Sequence, residues 1–476
     1  MHSETSEVLR GPTPLPASEL PATQRRIIRP AGFFALSFGS MVGSGWIILL
    51  GEWLRRAAPG GAFLALLGGG ALMSLIGTCY AELAARMPRA GGEFRYALEG
   101  LGRAPAFIVG WFLTLFLVSL CAFEATALSW LVGELIPAAQ GRPLYSLFGE
   151  SISSDALLMG LIGAIVVYAI NVAGVRSSVF FQRLVTYTFI AVMFGLIAGG
   201  LIFGSPRNLQ PWFAPPQGQW SVGFLWIFAQ CAMLLNGFQA ALYVIEDRAP
   251  DVSVRSATLS MVGGIAGAAI FYASVILAAG SVIPWRQLLD APLPAVAAFD
   301  ALSTSGIIGK IVLCVAIASL AKTWNALVLM ASRIILAQAQ AGMLPAVFSR
   351  VNRAGAPAAA IALVTAASLA GMVLGKGALL PIINMAVTCV AIVVLLSVVI
   401  LVKLRGEQPA SPGYSVPGGK PTIWLCLIGS LGMAGFALIQ PLLQHPNGIP
   451  LEWVLMLAWA VLGLTLGKVA GFYAST

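Results

Sequence analysis

Twelve apolar stretches, each long enough to cross a lipid bilayer, are the feature that most restricts how this chain can fold. A helix of about 20 residues spans the hydrocarbon core, and backbone exposed to lipid must satisfy its own hydrogen bonds, which excludes open sheets. Of the 476 residues, 59% are hydrophobic and only 9% are charged, whereas a soluble domain carries about 25% charged residues. The sequence therefore predicts an all-α integral membrane protein with about 12 transmembrane helices. The predicted spans lie near residues 31–54, 61–86, 104–136, 156–173, 177–203, 220–245, 257–282, 307–339, 357–374, 379–402, 422–443 and 453–470.

The basic residues predict the orientation of these spans. The chain has 27 Lys and Arg residues and a formal net charge of +9. If the N-terminus is inside, Lys322 lies within a span and only seven of the others lie outside: Arg55, Arg56, Arg142, Arg207, Arg286, Lys310 and Lys376. Because cytoplasmic loops are enriched in Lys and Arg, we expect both termini in the cytoplasm of a multi-pass protein of the cell (inner) membrane. The positive charge then indicates topology and not a nucleic-acid site.

Histidine and cysteine are placed where they predict neither a metal site nor a cofactor. The two histidines, His2 and His445, lie in the N-terminal tail and in a loop. The six cysteines are isolated within apolar stretches, where cysteine behaves as a small hydrophobic residue. The spans also lack the clustered acids or histidines of a membrane-embedded enzyme, so we expect no catalytic residues.

The first predicted span carries glycine and serine at its centre, in the sequence GSMVGSGW from Gly39 to Trp46. Each glycine weakens a helix by about 1 kcal/mol relative to alanine. One interpretation is close helix packing, for which small residues are suited in membranes. The other is an unwound break whose free amides bind an anionic group.

The sixth span has a similar interruption, MLLNGFQ, from Met233 to Gln239. Interrupted helices at corresponding positions of two repeats are the best sequence indication of a transporter's central site. Spans one and six correspond in this way if spans 1–5 and 6–10 are inverted repeats. The pair of interruptions therefore favours the functional interpretation.

Several short motifs together resemble the amino acid–polyamine–organocation (APC) superfamily. GSMVGSGW is similar to its first-helix GxxxGxG signature, and the segment from Met87 to Tyr96 is similar to the exit of its second helix, with Phe94 in place of a tyrosine. The sixth span and the eighth-span exit add matches in the expected order, at Gly237–Phe238, Glu246, Pro250, Arg255, Ser332–Arg333, Gly342–Pro345 and Gly355–Pro357.

The resemblance implies a LeuT-like fold of five plus five helices in inverted repeats, with two extra C-terminal helices. On this basis we divide the chain into a disordered cytoplasmic tail (1–29), a ten-helix transport core (30–405), a cytoplasmic linker (406–421) and two peripheral helices with the C-terminus (422–476). The implied activity is secondary active transport of an amino acid or related amine by alternating access.

The resemblance also implies a substrate site between the two interruptions. Matching positions place the substrate carboxylate at the amides around Ser44 and Gly45, and the ammonium at carbonyls near Gly43 and Asn236. The substrate-binding candidates taken over in this way are Val42, Gly43, Ser44, Gly45, Asn236 and Gly237. Met233 stands where relatives often have an aromatic lid, which disfavours stacking recognition of an aromatic or guanidinium substrate.

Glu124 in the third span is a further substrate-binding candidate. A charged side chain at the bilayer centre costs about 2.5–3.5 kcal/mol on insertion scales, so it usually has a partner or a function. Its neighbours on a helical wheel are all leucines, which favours a packed carboxyl. Some APC members, however, have a third-helix glutamate beside the site, and the sequence leaves the two interpretations open.

Lys322 and Ser319 of the eighth span are the predicted coupling residues. On a helical wheel they share a polar arc with Asn325, and such an arc should face the interior of the bundle. Some APC relatives have a fifth-helix lysine at the sodium position of sodium-coupled transporters, and here that position is Phe189. We expect the Lys322 ammonium to reach this position from the opposite wall, close to the Gly39–Val42 carbonyls. Transport would then be sodium-independent, and either proton-coupled or an exchange. A structural ion pair, with Glu124 as a candidate partner, is the alternative.

Two other functions fit the same sequence. One is a polyamine or organic-cation exchanger, with Glu124 as the anionic partner of the substrate. The other is a membrane sensor that binds a ligand without transporting it. The expected partners are a small-molecule substrate and the lipid bilayer, and a homodimer is left open.

Overall fold

The computed structural model describes residues 27–87, 91–136, 142–147, 150–216, 218–408, 413–444 and 449–469. Most of the predicted N-terminal tail, part of the predicted linker and the last seven residues therefore lie outside the described residues. The helices of the N-terminal half are α1 (Pro30–Met41), α2 (Gly45–Ile48), α3 (Leu50–Arg86), α4 (Gly92–Leu101), α5 (Arg103–Leu135), α6 (Ser154–Val172) and α7 (Val175–Phe203).

The C-terminal half is helical as well. Its helices are α8 (Trp220–Leu234), α9 (Ala240–Tyr243), α10 (Val254–Val282), α11 (Pro294–Asp300), α12 (Ile307–Gln340), α13 (Ala358–Met372), α14 (Leu379–Glu407), α15 (Lys420–Gln444) and α16 (Leu451–Val469). Short 3-10 turns connect several of them. The only strands in the described part of the chain are β1 (Pro143–Leu147) and β2 (Glu150–Ser153), which form an antiparallel hairpin.

The prediction of an all-α membrane protein is confirmed. Nine described helical segments are long and apolar enough to cross a membrane, and three shorter apolar helices cover the remaining predicted spans: Trp220–Leu234, Ala358–Met372 and Leu451–Thr465. The tenth span runs on as helix to Glu407, two residues beyond the predicted end of the transport core. The hairpin of β1 and β2 and the short helix α11 lie between spans and were not predicted.

The first and sixth spans are interrupted at the predicted positions. Helix α1 ends at Met41, and Val42 has non-helical backbone angles before α2 begins at Gly45. In the sixth span, α8 ends at Leu234 and helix resumes only with the four-residue α9. Because four residues form barely one turn, α2 and α9 depend on packing against neighbouring helices for their conformation.

The interrupted helices lie in the middle of the bundle. Helix α1 packs against α7, α10 and α12, and α12 in turn packs along α5. Helices α15 and α16 pack on the outside, against α14 and α5. Helix α16 is fastened by a reciprocal pair of indole hydrogen bonds, because Trp111 Nε1 donates to the Trp459 carbonyl at 2.8 Å and Trp459 Nε1 donates to the Trp111 carbonyl at 3.0 Å.

The backbone just before α1 is bridged to the segment that follows α9. The N–H groups of Ile27 and Ile28 donate to the Asp247 carbonyl, at 2.9 and 3.0 Å, and Ala249 N–H donates to the Ile28 carbonyl at 3.0 Å. These three hydrogen bonds form a short parallel bridge, which we call the terminal bridge. It ties the two interrupted helices together at the end of the bundle that is predicted to face the cytoplasm.

A buried carboxylate at the same end fastens α14 and the linker to α3. Glu82, which is fully buried, pairs with Arg86 at 2.8 Å and with Arg405 at 2.5 Å. It also accepts the backbone N–H of Val416 at 2.8 Å. Buried charges are tolerated when several hydrogen bonds compensate their lost hydration, and Glu82 meets that condition.

Candidate functional site

The two helix interruptions touch each other. Ser40, near the end of α1, donates from Oγ to the Gly237 carbonyl at 2.6 Å. Gly237 has φ of +118°, a conformation that favours glycine. A Cβ built on Gly237 would lie 2.9 Å from the Ser40 carbonyl oxygen, so the close approach also requires glycine. The sequence thus determines both the break in the sixth span and its contact with the first.

Glu124 of α5 lies against the interruption of the first span. Its Oε2 accepts a hydrogen bond of 2.9 Å from Ser44 Oγ, and its side chain is almost completely buried. A Cβ on Gly43 would approach Glu124 Oε1 to 2.8 Å and Thr323 Oγ1 to 2.9 Å. The carboxyl therefore occupies space that the glycine leaves open, beside the start of α2.

The start of α2 offers hydrogen-bond donors. The first N–H groups of a helix have no carbonyl one turn earlier within the helix, and Gly45 is the first residue of α2. The end of such a helix favours negative charge, although α2 is only one turn long. The Glu124 carboxyl lies beside this end of α2, where it accepts the hydrogen bond from Ser44.

Three side chains of α12 bind the carbonyls that α1 leaves free at its C-terminal end. Lys322 Nζ donates to the Gly39 carbonyl at 2.9 Å and also to the Val42 carbonyl. Ser319 Oγ donates to Val42 at 2.8 Å and to the Gly43 carbonyl at 3.1 Å. The contact predicted between Lys322 and the Gly39–Val42 carbonyls is thus present.

Thr323 is the third of these side chains, and the sequence analysis missed it. Its Oγ1 donates to the Gly39 carbonyl at 3.2 Å. It follows Lys322 directly and lies one turn after Ser319, a spacing that places Ser319 and Thr323 on the same helix face. From this four-residue spacing, Thr323 could have been predicted as a neighbour of Ser319.

Phe189 of α7 faces Lys322. This agrees with the expectation that Lys322 reaches the position of Phe189 from the opposite wall of the site. The Lys322 Nζ lies 4.9 Å from the centre of the Phe189 ring, within the distance of a cation–π contact. An ion pair between Lys322 and Glu124, the structural alternative, is not among those formed by the described residues.

The sixth-span candidates are Met233, Asn236 and Gly237, which lie in the last turn of α8 and in the non-helical segment before α9. Asn236 is buried, and its Nδ2 has no hydrogen-bond partner among the described residues. Met233 is buried in the last turn of α8. Tyr272 of α10, which the sequence analysis did not single out, donates from its hydroxyl to the Met41 carbonyl at 2.9 Å.

The site is closed towards the side that is predicted to be extracellular. Trp53 Nε1 donates to Gln230 Oε1 at 3.3 Å, which joins the continuation of the first span to α8. Nearer the surface, the Arg56 guanidinium lies 4.4 Å from the centre of the Trp226 ring. The site combines helix-start amides, one carboxyl and one ammonium in a buried space, an arrangement suited to binding a small charged or zwitterionic molecule.

Residues 31–465 of the sequence match the amino acid permease family. The chain belongs to this family. The match covers every described span and both interruptions, so the geometry above is that of an amino acid permease family member.

Similarity to individual proteins extends over much of this permease. It is 27% identical to cationic amino acid transporter 4 from Homo sapiens, covering 84% of this chain and 63% of the relative. It is 26% identical to the chloroplastic cationic amino acid transporter 9 from Arabidopsis thaliana, covering 68% and 58%. A methylthioribose transporter from Bacillus subtilis (strain 168) is 24% identical, covering 80% and 82%.

These relatives are transporters and not enzymes. The permease spans less than two thirds of the length of the two cationic amino acid transporters. Its relatives also differ in the substrates that their names state, which are cationic amino acids in two cases and methylthioribose in the third.

Proposed function

We propose that this protein is a secondary active transporter of an amino acid or related amine that works by alternating access. The observation that carries the proposal is the contact between two interrupted helices, at Ser40 and Gly237, within a buried set of charged and polar groups. Membership of the amino acid permease family supports the same function. Interrupted helices let backbone amides and carbonyls, which are otherwise used up in helix hydrogen bonds, bind a substrate at the centre of the membrane.

The substrate binds beside α2 in this proposal. The N–H groups near Ser44 and Gly45 receive the carboxylate, and the free amide of Asn236 makes a further hydrogen bond. Glu124 already accepts from Ser44 in the structure, so a substrate carboxylate would meet a second carboxyl at the same place. Two carboxylates in contact repel each other unless one is protonated. Binding of a zwitterionic substrate is therefore coupled to a proton on Glu124.

In this proposal, the Lys322 ammonium takes the place of a coupling sodium ion. This ammonium holds the Gly39 and Val42 carbonyls that would otherwise be free to bind a cation. While it is protonated, Lys322 supplies a positive charge at this position and removes the need for a sodium ion. Reversible loss of its proton would connect transport to the proton gradient. Ser319 shares the Val42 carbonyl and orients the same segment.

A cationic amine is the second candidate substrate. The Glu124 carboxyl at the site favours it, since an ionised Glu124 would pair with an ammonium group and would not need to be protonated. The cationic amino acid transporters among the relatives are consistent with a positively charged substrate. A substrate without a carboxylate would leave the amides at the start of α2 unpaired, which favours a cationic amino acid over a polyamine.

Counterflow of labelled amino acids into proteoliposomes tests the function. We expect accumulation of at least one zwitterionic or cationic amino acid with no requirement for sodium. Binding without counterflow in the same preparation would indicate a sensor instead of a transporter. Thermal-shift screening selects the compounds, because a ligand that binds only the folded state raises its stability.

Two substitutions locate the site. Glu124→Gln keeps the acceptor for Ser44 but removes the titratable group, so substrate binding should lose the part of its pH dependence that comes from this carboxyl. Asn236→Ala should weaken substrate binding by about 1–3 kcal/mol, the range for loss of a buried hydrogen-bond partner. If both variants keep wild-type affinity and pH profile, the substrate binds elsewhere.

We further propose that the permease lies in the cell membrane with both termini in the cytoplasm. The asymmetry of Lys and Arg between the two sides supports this orientation. A homodimer remains a prediction.

A further inference from the structure

Glu93, outside the membrane-spanning helices, is a second buried carboxyl that the proposed mechanism does not use. It lies in the first turn of α4, the short helix that follows the second span, and it is fully buried. Its Oε2 accepts a hydrogen bond of 2.7 Å from the hydroxyl of Tyr243 in α9. This contact crosses from α4 to the sixth span on the side that is predicted to be cytoplasmic.

The contact requires glycine on α4. Gly92 has φ of +49°, and a Cβ there would lie 2.7 Å from Cζ of Tyr243. The backbone of α4 is therefore shaped to bring Glu93 and Tyr243 together. The Glu93 carboxyl is thus a specific part of the contact between α4 and α9, and its burial is not incidental.

Three hydrogen-bonding groups around Glu93 are unpaired. Glu93 Oε1, Gln239 Nε2 and the Tyr80 hydroxyl are all buried without a partner among the described residues. Both the Gln239 amide and the Tyr80 hydroxyl are close enough to favour the ionised form of the Glu93 carboxyl, but neither has the geometry of a hydrogen bond to it. Of the three donors around the carboxyl, only the Tyr243 hydroxyl makes a well-formed bond. Buried polar groups are costly to leave unpaired.

Gln239 connects this network to the substrate site. Its Oε1 accepts the backbone N–H of Gly237 at 2.8 Å, and Gly237 is the residue that contacts Ser40 across the two interruptions. A movement of the Gln239 amide towards Glu93 would therefore change how the sixth-span interruption is held. Tyr80 is attached to the same segment, since its ring contacts that of Phe238 edge-on at 5.0 Å.

The titratable groups that face Glu93 are tyrosines. They belong to three elements: Tyr80 to α3, Tyr96 to α4 itself and Tyr243 to α9. Burial raises the pKa of the Glu93 carboxyl, and the hydrogen bond from Tyr243 offsets only part of that effect. The carboxyl is thus protonated at pH values where an exposed glutamate is ionised, and it loses its proton as the pH rises.

Several polar and charged groups on the other elements that pack against α4 have partners of their own, whereas Arg333 Nε and Gln338 Oε1 of α12 are buried without one among the described residues. Helix α14 contributes Ser397, which faces Tyr80, and Lys403, which donates to the Gly100 carbonyl at 2.8 Å. Helices α12 and α5 contribute Gln338 and Thr114, which bind one another at 3.4 Å. The charges of α4 itself pair with each other on its exposed face, between Arg95 and Glu99.

We propose that Glu93 is a proton-binding site that controls opening of the cytoplasmic half of the transport path. Protonated, the carboxyl is neutral, keeps its bond to Tyr243 and holds α4 against α9. Ionised, it draws in the free donors of Gln239 and Tyr80, and this shifts Gly237 and loosens the interruption. Release of the proton thus accompanies release of the substrate.

Infrared difference spectra of the purified, reconstituted chain test the proton site without any substrate. In a pH series that starts just above the ordinary glutamate pKa of about 4.3, wild type minus Glu93→Gln should contain the carbonyl band of a protonated carboxylic acid, and the band should disappear as the pH rises. Glu99→Gln is the matched control, because Glu99 lies on the same helix in a partly exposed pair with Arg95, so its difference spectrum should lack the band of a buried acid. If the Glu93→Gln difference also lacks it, the carboxyl is ionised and the proposal is wrong.

Counterflow tests the control of opening and is the only readout that rests on the proposed function. Glu93→Gln mimics the protonated state, so its rate should equal that of wild type at acid pH. It should fall behind by up to about tenfold per pH unit while Glu93 loses its proton in the wild type, and the difference should become constant once Glu93 is ionised. Gln239→Leu should retain the infrared band but also lose the alkaline acceleration. Equal pH profiles for Glu93→Gln and Glu99→Gln would overturn the proposal and leave Glu93 as a packing residue.

A third variant covers the case in which Glu93→Gln does not fold. Tyr243→Phe keeps the ring and removes the donor, so the carboxylic acid band should persist at a shifted frequency. An unshifted band would mean that Tyr243 does not act on a protonated Glu93, which contradicts the proposal. Absence of counterflow in the wild type would count against transport itself and not against the proton site.

Discussion

Lys322 brings an ammonium group into a part of the protein where water cannot solvate it. A buried charge is stable only if hydrogen-bonding groups replace its hydration, and the carbonyls of Gly39 and Val42 do so. Ser319 and Thr323 add hydroxyl groups around the same carbonyls. Backbone carbonyls and hydroxyls are also the ligands that a hard cation prefers. The side chain thus takes the position that a bound cation would occupy.

Substitution of Lys322 should change the ion dependence of transport. Lys322→Ala should remove the part of the pH dependence of uptake that comes from this ammonium, and Lys322→Arg should not restore it, because a guanidinium stays charged. Uptake is measured in proteoliposomes with and without sodium over a range of pH. Lys403→Ala, which removes a half-exposed lysine of α14, serves as the control and should behave as wild type. Wild-type uptake that requires sodium and ignores pH would leave Lys322 with a purely structural role.

Gly43 should not tolerate even one additional carbon. A Cβ there would come within 2.9 Å of Glu124 Oε1 and Thr323 Oγ1. The Glu124 carboxyl is held through its other oxygen, Oε2, which accepts from Ser44, and Thr323 Oγ1 donates to the Ser319 carbonyl. Overpacking of this kind costs about 1–3 kcal/mol, and here the cost falls on substrate binding. We expect Gly43→Ala to lose measurable binding in a thermal-shift titration while it remains folded. Gly263→Ala, at a helical position with open space around its Cβ, should bind normally.

At the scale of helices, the sequence correctly predicted the spans and their interruptions, because both features depend on local composition. Long apolar runs determined the spans, and glycine within two of them determined the interruptions, because glycine weakens a helix wherever it stands. The hairpin of β1 and β2 was missed, since it is a short connection between spans that the apolar pattern does not describe. Helix α11 was missed for the same reason.

The site was predicted less completely because it depends on contacts between distant helices. The leucine neighbours of Glu124 on its own helix left its role open, and the pattern of that helix could not predict its hydrogen bond with Ser44, 80 residues away. The polar arc of the eighth span was informative for Lys322. Trp324, on the opposite side of that helix, is nevertheless also buried, because α12 is surrounded by neighbours in the middle of the bundle. Periodicity cannot distinguish two buried faces.

Glu82 offers a test of how helices are fastened at the predicted cytoplasmic end. Glu82→Gln leaves Arg86 and Arg405 without their common counter-charge in a largely buried setting. Breaking a buried pair costs about 3–5 kcal/mol, so the melting temperature should fall clearly. Glu407→Gln removes an exposed carboxylate from a pair with Lys403, which is worth less than about 1 kcal/mol. Similar melting temperatures for the two variants would contradict the role given to Glu82.

The arrangement of the whole molecule in the membrane can be tested directly. Reporter domains fused after residues 140, 210 and 290 should be active outside the cell, and those fused after residues 100, 252 and 352 should be active inside. The expectation follows from the excess of Lys and Arg on one side. Reversed activity at any two of these positions would rule out the proposed orientation and, with it, the assignment of Glu93 to the cytoplasmic half.

The terminal bridge has a consequence for how this region can change during evolution. Its three hydrogen bonds join main-chain groups of Ile27, Ile28, Asp247 and Ala249, so almost any side chain at these positions leaves them intact. Proline is the exception, because it has no N–H to donate. Homologous sequences could therefore diverge freely here while the attachment of the first span to the sixth is preserved. Such a constraint would be visible in homologous sequences only as the absence of proline at the three donor positions, 27, 28 and 249.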